Sequence, residues 1–233
     1  MTTDEVRAAA EQLVDFHQRF APGFGRREAQ DLVYSYRNGW MLCRVRTCVE
    51  SMALIVGQGR VSGLQKVLNR APWDHDDIQM QLQGVVADEL VPSTRRWPLG
   101  TVGIVDESAF TKQGTHSAGV ARQHNGRQGT QDNGPVGVFL GGVAPAGCAL
   151  LEHGLDLHQA WFAPQTGDAR RTTVGVPGHR RFLTRPQIAA ALIRCSVVIN
   201  AAVRRDGITA DEAPGENGEF LDELQEQAWR YRR

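Results

Sequence analysis

The sequence predicts an α/β chain in two parts, a helical region over residues 1–92 and a region of strands and helices over 93–233. Three observations carry that expectation. Apolar residues recur at helical spacing throughout the first part. The segment Val91-Pro92-Ser93-Thr94 breaks the pattern. From Thr101 onward, short β-rich apolar runs alternate with stretches of glycine, asparagine and proline. Hydrophobic residues make up 41% of the chain and charged residues 22%, a composition that can bury a core and argues against disorder.

The elements follow in order. Residues 3–20 read as a helix with Thr3 as its cap and Val6, Ala10, Leu13, Val14 and Phe16 on one side, ended by Ala21-Pro22-Gly23. A second helix is predicted over 26–38, burying Ala29, Leu32, Val33 and Tyr36, and a third over 40–55, with Leu42, Val45, Val49 and Met52 recurring. A short helix capped by Ser62 and a longer one from 74 to 90, capped by Asp74 or Asp76, flank Trp73 and suit a helix-turn-helix, although many bundles contain such pairs. In the second part, Thr101–Val105, Val136–Leu140, Cys148–Leu157 and Gly207–Ala210 read as strands, with moderate alternation over 116–123 and a hairpin turn or loop over 125–134. Residues 160–184 look irregular. Pro186 suits the first turn of a helix running to about 200, and Asn217 caps a last helix over 219–230.

Charge balances at 26 basic and 26 acidic residues, unlike a protein that coats nucleic acid along its whole surface. The distribution is uneven. Arg26, Arg27, Arg37, Arg44, Arg46, Arg60, Lys66 and Arg70 face only Glu28, Asp31 and Glu50 in the same stretch, while Glu212, Glu216, Glu219, Asp222, Glu223 and Glu226 gather near the other end. A basic front fits contact with phosphates, but before any motif is considered a solvated helix surface rich in arginine is the favoured reading. Cys43, Cys48, Cys148 and Cys195 form no C-x-x-C pair, so free thiols are expected. With no apolar leader and no apolar run near the ~20 residues that span a bilayer, a cytoplasmic location is expected.

Two aspartates stand in matching contexts. Asp106 follows Val102-Gly103-Ile104-Val105, Asp211 follows Ile208-Thr209-Ala210, and each precedes a glutamate, Glu107 or Glu212. Carboxylates at the ends of neighbouring strands can converge on a hard divalent cation. Two such ions about 4 Å apart can activate a water or a 3′-hydroxyl and stabilise the leaving oxygen of a phosphodiester. An aspartate after a strand also serves as a plain loop starter or helix cap, and spacing alone favours that plainer reading. Asn125-Gly126-Arg127-Gln128-Gly129 lacks the lysine and the strand-to-helix context of a phosphate loop. His116, His124, His153, His158 and His179 show no ligand spacing.

A longer pattern adds to this. Ile104 through Thr115, then His116 through Gln123, Asn133 and Val136–Leu140 resemble the first catalytic strand and the following section of the DDE-superfamily endonuclease domain of bacterial insertion-sequence transposases. Leu155-Asp156-Leu157 with Trp161, and Gly175-Val176-Pro177, resemble its middle section. Thr209-Ala210-Asp211-Glu212 with Asn217–Leu221 resembles its second acidic motif. Upstream, Phe24–Glu28, Trp40, Gly63-Leu64-Gln65 and Trp73-Asp74 resemble its N-terminal region, so the likeness runs in order over nearly the whole chain.

The resemblance implies a ribonuclease-H-like domain with a mixed sheet, Mg²⁺ as cofactor, double-stranded DNA at transposon ends as partner, and Asp106 and Asp211 as the first two catalytic, metal-binding acids. It also implies a third acid, a glutamate on a helix further downstream. Glu107, Glu212 and Glu219 do not match that position, so the domain is expected to be incomplete, C-terminally truncated and weakly active or inactive alone. Pro214 and Thr115, the latter where the family often has lysine, depart from the pattern. Arg26, Arg27, Lys66, Arg70, Lys112 and Arg122 are the expected DNA contacts, with Arg127 a further loop cation. A homo-oligomer, a separate C-terminal chain that supplies the third acid, and a non-catalytic DNA-binding or regulatory derivative stay open at this point.

Overall fold

The computed structural model describes residues 2–44, 48–57, 61–69, 71, 73–126, 128–164, 167–199, 207–211 and 217–226. The chain divides into two compact units, Met1–Leu82 and Gln83–Arg233. That division falls inside the helix that ends at Glu89.

The first unit is helical. Helix α1 spans Thr3–Gln18, and its cap is Thr2 rather than Thr3. Thr2 Oγ1 accepts from the Glu5 backbone N–H at 3.3 Å and Glu5 Oε2 accepts from Thr2 N–H at 2.6 Å, a reciprocal capping box. Helix α2 spans Arg27–Leu42 and runs past the expected stop at 38, while α3 covers only Val49–Ile55. The reason lies in Gly39. It is buried against α3, and a Cβ there would stand 2.7 Å from Met52 Cβ. Gly39 therefore serves close helix approach instead of ending a helix. Leu42, expected on the buried stripe, is 60% exposed.

Helix α4, Val61–Asn69, buries Leu64 and Val67 and packs on α2 and α3 around Met52 and Ala53. Helix α5, His75–Glu89, is capped by Asp74, whose Oδ1 accepts from Asp77 N–H at 3.0 Å. The packing of α4 onto α2 and α3 makes it part of a bundle rather than half of a free-standing helix-turn-helix.

Between α1 and α2 lies a buried histidine. The His17 ring donates from Nε2 to the Gln30 carbonyl at 3.0 Å and sits near Tyr34 and Phe24. Burial, and then the neighbouring Arg37 guanidinium, hold its pKa below the ordinary 6.5, against the opposing pull of the Gln30 carbonyl and Asp31. Arg37 itself donates to the Leu13 carbonyl at 2.9 Å and lies over the Phe16 and Tyr34 rings.

In the second unit, β1 (Val102–Ala109), β4 (Val136–Ala144), β5 (Gly147–Asp156) and β6 (Gly207–Ala210) form one sheet in the order β5-β4-β1-β6. β1 is antiparallel to β4, β4 is antiparallel to β5, and β1 is parallel to β6. Strands β2 (Ala121–Asn125) and β3 (Thr130–Gly134) form a separate hairpin. The glycine- and asparagine-rich stretch is thus largely a strand. α6 (Gly167–Thr173) lies in the irregular segment, α7 (Arg185–Ile199) crosses over from β5 to β6, and α8 is Gly218–Glu226. α8 is capped as expected, with Asn217 Oδ1 accepting from Phe220 N–H at 3.0 Å.

The core lies between one sheet face and these helices. Val105, Val138, Leu140, Leu151 and Ile208 meet Ile188, Ala189, Leu192, Ile193, Phe220 and Leu224. A bulge at Leu140/Gly141 breaks the β4–β5 register, and the buried Gln83 side chain donates to the Leu151 carbonyl at 3.1 Å beside it. This mixed sheet, with one parallel crossover and two antiparallel pairs, is an α/β fold consistent with a ribonuclease-H-like domain.

Two outcomes follow for the first unit. Gly39→Ala is expected to lower its stability by roughly 1–3 kcal/mol, because the added methyl forces α2 and α3 apart; urea unfolding measures it. His17, with a lowered folded pKa, binds its proton more readily in the unfolded chain. Its contribution should be full above pH 6.5, decline as pH falls from there towards the lowered folded value, and level off below it. In His17→Gln that component of the acid-side decline in the urea midpoint should vanish.

Candidate nucleic-acid cleavage site

Register alone brings the two aspartates together. In the parallel pair, Val105 stands opposite Ala210. The next residue on each side is Asp106 and Asp211, on strands separated by about 4.8 Å. Val105 and Ile208 face the core, so alternation turns Asp106 to the other face, where it is exposed, and Asp211 is exposed directly after β6. Asp106 does not end its strand. β1 continues to Ala109, because β4 pairs with it as far as Val136. Asp106 Oδ1 accepts from the Glu107 backbone N–H at 2.7 Å. Opposite it on β4 stands Phe139, whose ring meets Phe110 edge-on at 6.3 Å.

The neighbouring glutamate goes elsewhere. Glu107 faces the core side and its Oε2 accepts from Arg185 Nη1 at 2.7 Å. Arg185, at the first turn of α7, also donates from Nε to Asp156 Oδ2 at 2.8 Å and from Nη2 to Gln123 Oε1 at 2.9 Å. One guanidinium thus joins β1, β5, β2 and α7. Burial opposes its charge, but the bonds to Asp156 and Glu107 outweigh that and raise its pKa above the ordinary arginine value. Arg185 was not among the expected site residues. Its only sequence signal is an arginine directly before the helix-starting Pro186. Glu219 is bound by Gln187 Nε2 at 3.2 Å, and Glu212 lies outside the described residues.

The expected DNA contacts fall in two groups. Arg26 and Arg27 are exposed at the start of α2 and Lys66 is exposed in the last turn of α4, all in the first unit. Arg70 and Arg127 lie outside the described residues. In the second unit, Arg122 is exposed on β2, and Lys112 is exposed with its ammonium donating to Ser117 Oγ.

Whether this site suits a divalent ion can be judged from its donors. Two adjacent, exposed carboxylates offer hard oxygens, and Mg²⁺ commonly takes only one or two carboxylates with substrate phosphates and water completing its shell. The donor set fits. Among the described residues no group of three or more His, Cys, Asp or Glu is placed to hold a metal, and none of their helices is long and apolar enough to cross a membrane.

The fold is thus a mixed sheet with two neighbouring carboxylates at its parallel strand pair. Residues 19–232 match the model of the DDE superfamily endonuclease family, and the chain belongs to that family. It is also 28% identical over 184 residues to a probable transposase for insertion sequence element IS701 from Microchaete diplosiphon. That match covers 77% of this chain and 42% of the relative, so the chain spans less than half of the relative's length.

Removing the guanidinium hub should loosen the second unit. Arg185→Met is expected to cost about 1.5–3 kcal/mol, the range for hydrogen bonds to charged groups at a partly exposed site. Arg185→Lys should recover only part of this, since an ammonium cannot reproduce the fork. Thermal and urea midpoints measure both.

Proposed function

We propose that this chain carries the DNA-cleaving part of an insertion-sequence transposase, cutting and joining strands at the ends of the element. The observation that carries the reading is the register Val105↔Ala210, which sets Asp106 beside Asp211 on one exposed face. Residues 93–233 are the endonuclease domain and the helical region 1–92 the DNA-binding part. In this reading Asp106 and Asp211 hold Mg²⁺, which when bound supplies charge for the attacking and leaving oxygens.

The chain's own residues do the rest. Asp106, fixed by the Glu107 N–H, presents its remaining oxygen to the open face. Phe139, opposite Asp106 on β4, is an apolar neighbour on one side of the pair. Strand alternation turns Glu107 to the core side and Arg185 holds it there, so that the next carboxylate on the strand does not compete with Asp106. Arg26, Arg27 and Lys66 in the first unit, with Arg122 and Lys112 in the second, bind phosphates and set the position of the duplex without reading its sequence. A third carboxylate, as the family resemblance implies, comes from outside the described residues, in the same polypeptide or in trans. Alone, this chain cuts weakly or not at all.

The test is nicking of labelled DNA bearing candidate element ends, with the third carboxylate supplied by the longer protein or a separate C-terminal chain. Mg²⁺-dependent cutting should fall to background in Asp106→Asn and in Asp211→Asn, with DNA affinity retained. Absence of cutting with intact DNA binding would leave a non-catalytic, transposase-derived DNA-binding protein. Cutting that survives both substitutions would overturn the assignment.

A further inference from the structure

The sheet edge that carries the carboxylates has a second feature. β5 runs parallel to β1, since both are antiparallel to β4, so Asp156 ends β5 at the edge towards which β1 and β6 run. Immediately after Asp156 the chain forms an open cleft of about 490 Å³, lined by His158, Ala160, Phe162, Ala163, Pro164 and Phe182. β5 lies two strands from β1, roughly 10 Å across the sheet.

Its chemistry is aromatic and cationic together. Phe162 and Phe182 meet edge-on at 5.9 Å and 68°, and Phe182 stays 41% exposed. The Arg171 guanidinium lies over Phe162 at 4.7 Å from the ring centre and is anchored by the Trp161 carbonyl at 2.6 Å and by Asp168. Arg180 and Arg181, in the two positions before Phe182 and its partners in the cleft wall, are exposed, and no ion pair engages them among the described residues. Of the carboxylates near this segment, Asp168 is bound to Arg171 and Asp156 to Arg185.

We propose that this cleft takes one unpaired base of a DNA strand, stacked on Phe182, while Arg180 and Arg181 hold the phosphates on either side of it. An aromatic platform flanked by free cations is the arrangement that binds single-stranded nucleic acid through every base's π-face. A base within a duplex presents only its edge and cannot reach the Phe182 ring, so the cleft selects a base that has left the stack. The position at the carboxylate edge makes it a site for distortion of the DNA beside the cut, an inference that rests on the transposase reading.

The test needs no catalysis. Binding is measured by fluorescence anisotropy without metal, at one fixed salt concentration, for a paired duplex and for the same duplex carrying a single unpaired 2-aminopurine. The unpaired duplex should bind about 5- to 150-fold tighter, the range for stacking one base on an aromatic side chain, with the 2-aminopurine emission quenched. Phe182→Ala should bring the two affinities together and restore the emission while leaving the paired-duplex affinity unchanged. Phe182→Trp should keep the preference, which separates stacking from a folding defect. Equal affinities in the unaltered protein, or a preference that persists in Phe182→Ala, would overturn the proposal. Failure of Mg²⁺-dependent cutting would sink the transposase reading and leave this result untouched.

Discussion

The parallel pairing of β1 with β6 is the constraint on which the second unit turns. It is short, from Val102↔Gly207 to Val105↔Ala210, and it joins parts of the chain about a hundred residues apart. Such a pairing needs a crossover, and α7 provides it. The apolar residues of α7, Ile188, Leu192 and Ile193, cover the same sheet face that Val105 and Ile208 present. Burial on that face fixes the register, because a slip of β6 by one residue would turn Ile208 to solvent and bring Asp211 to the core face. The position of the acidic pair is therefore a consequence of hydrophobic packing on the opposite side of the sheet.

Arg185 secures the same arrangement from the helix end. Its three side-chain bonds reach β1, β5 and the β2–β3 hairpin from the first turn of α7. The crossover helix is thereby tied to the strand that bears Asp106 at the edge where the chemistry is proposed. Asp156 is 5% exposed, and a carboxylate so buried requires a partner. The polar network and the apolar core thus specify one placement of α7 between them.

Much of this was legible in the sequence, for identifiable reasons. β4, β5 and β6 announced themselves as β-branched or leucine-bearing runs, and the Asn217 cap, with Asp74 as one of two candidates, followed from side-chain chemistry alone. The matching contexts of Asp106 and Asp211 pointed to adjacent strand ends, and the register puts them side by side. What escaped depended on tertiary partners. Gly39 looked like an interruption because nothing local reveals that Met52 presses against it. The β3 strand hid in residues of low strand propensity, held by pairing with β2 and by the Gln123 side chain, which donates to the Gly134 carbonyl at 2.8 Å. The continuation of β1 past Asp106 depended on β4. Arg185 could not be foreseen, since its partners Glu107, Asp156 and Gln123 are scattered along the chain.

The central claim is that Asp106 and Asp211 act on one ion as a unit. Mn²⁺ binding followed by electron paramagnetic resonance, in the presence of a DNA end, tests it directly in the unaltered chain, the two single asparagine variants and the double variant. A shared site predicts that either substitution removes the bound signal and that the double variant loses no more than each single one, the non-additivity expected of residues that work together. Full binding in either single variant, or losses that simply add, would contradict the account.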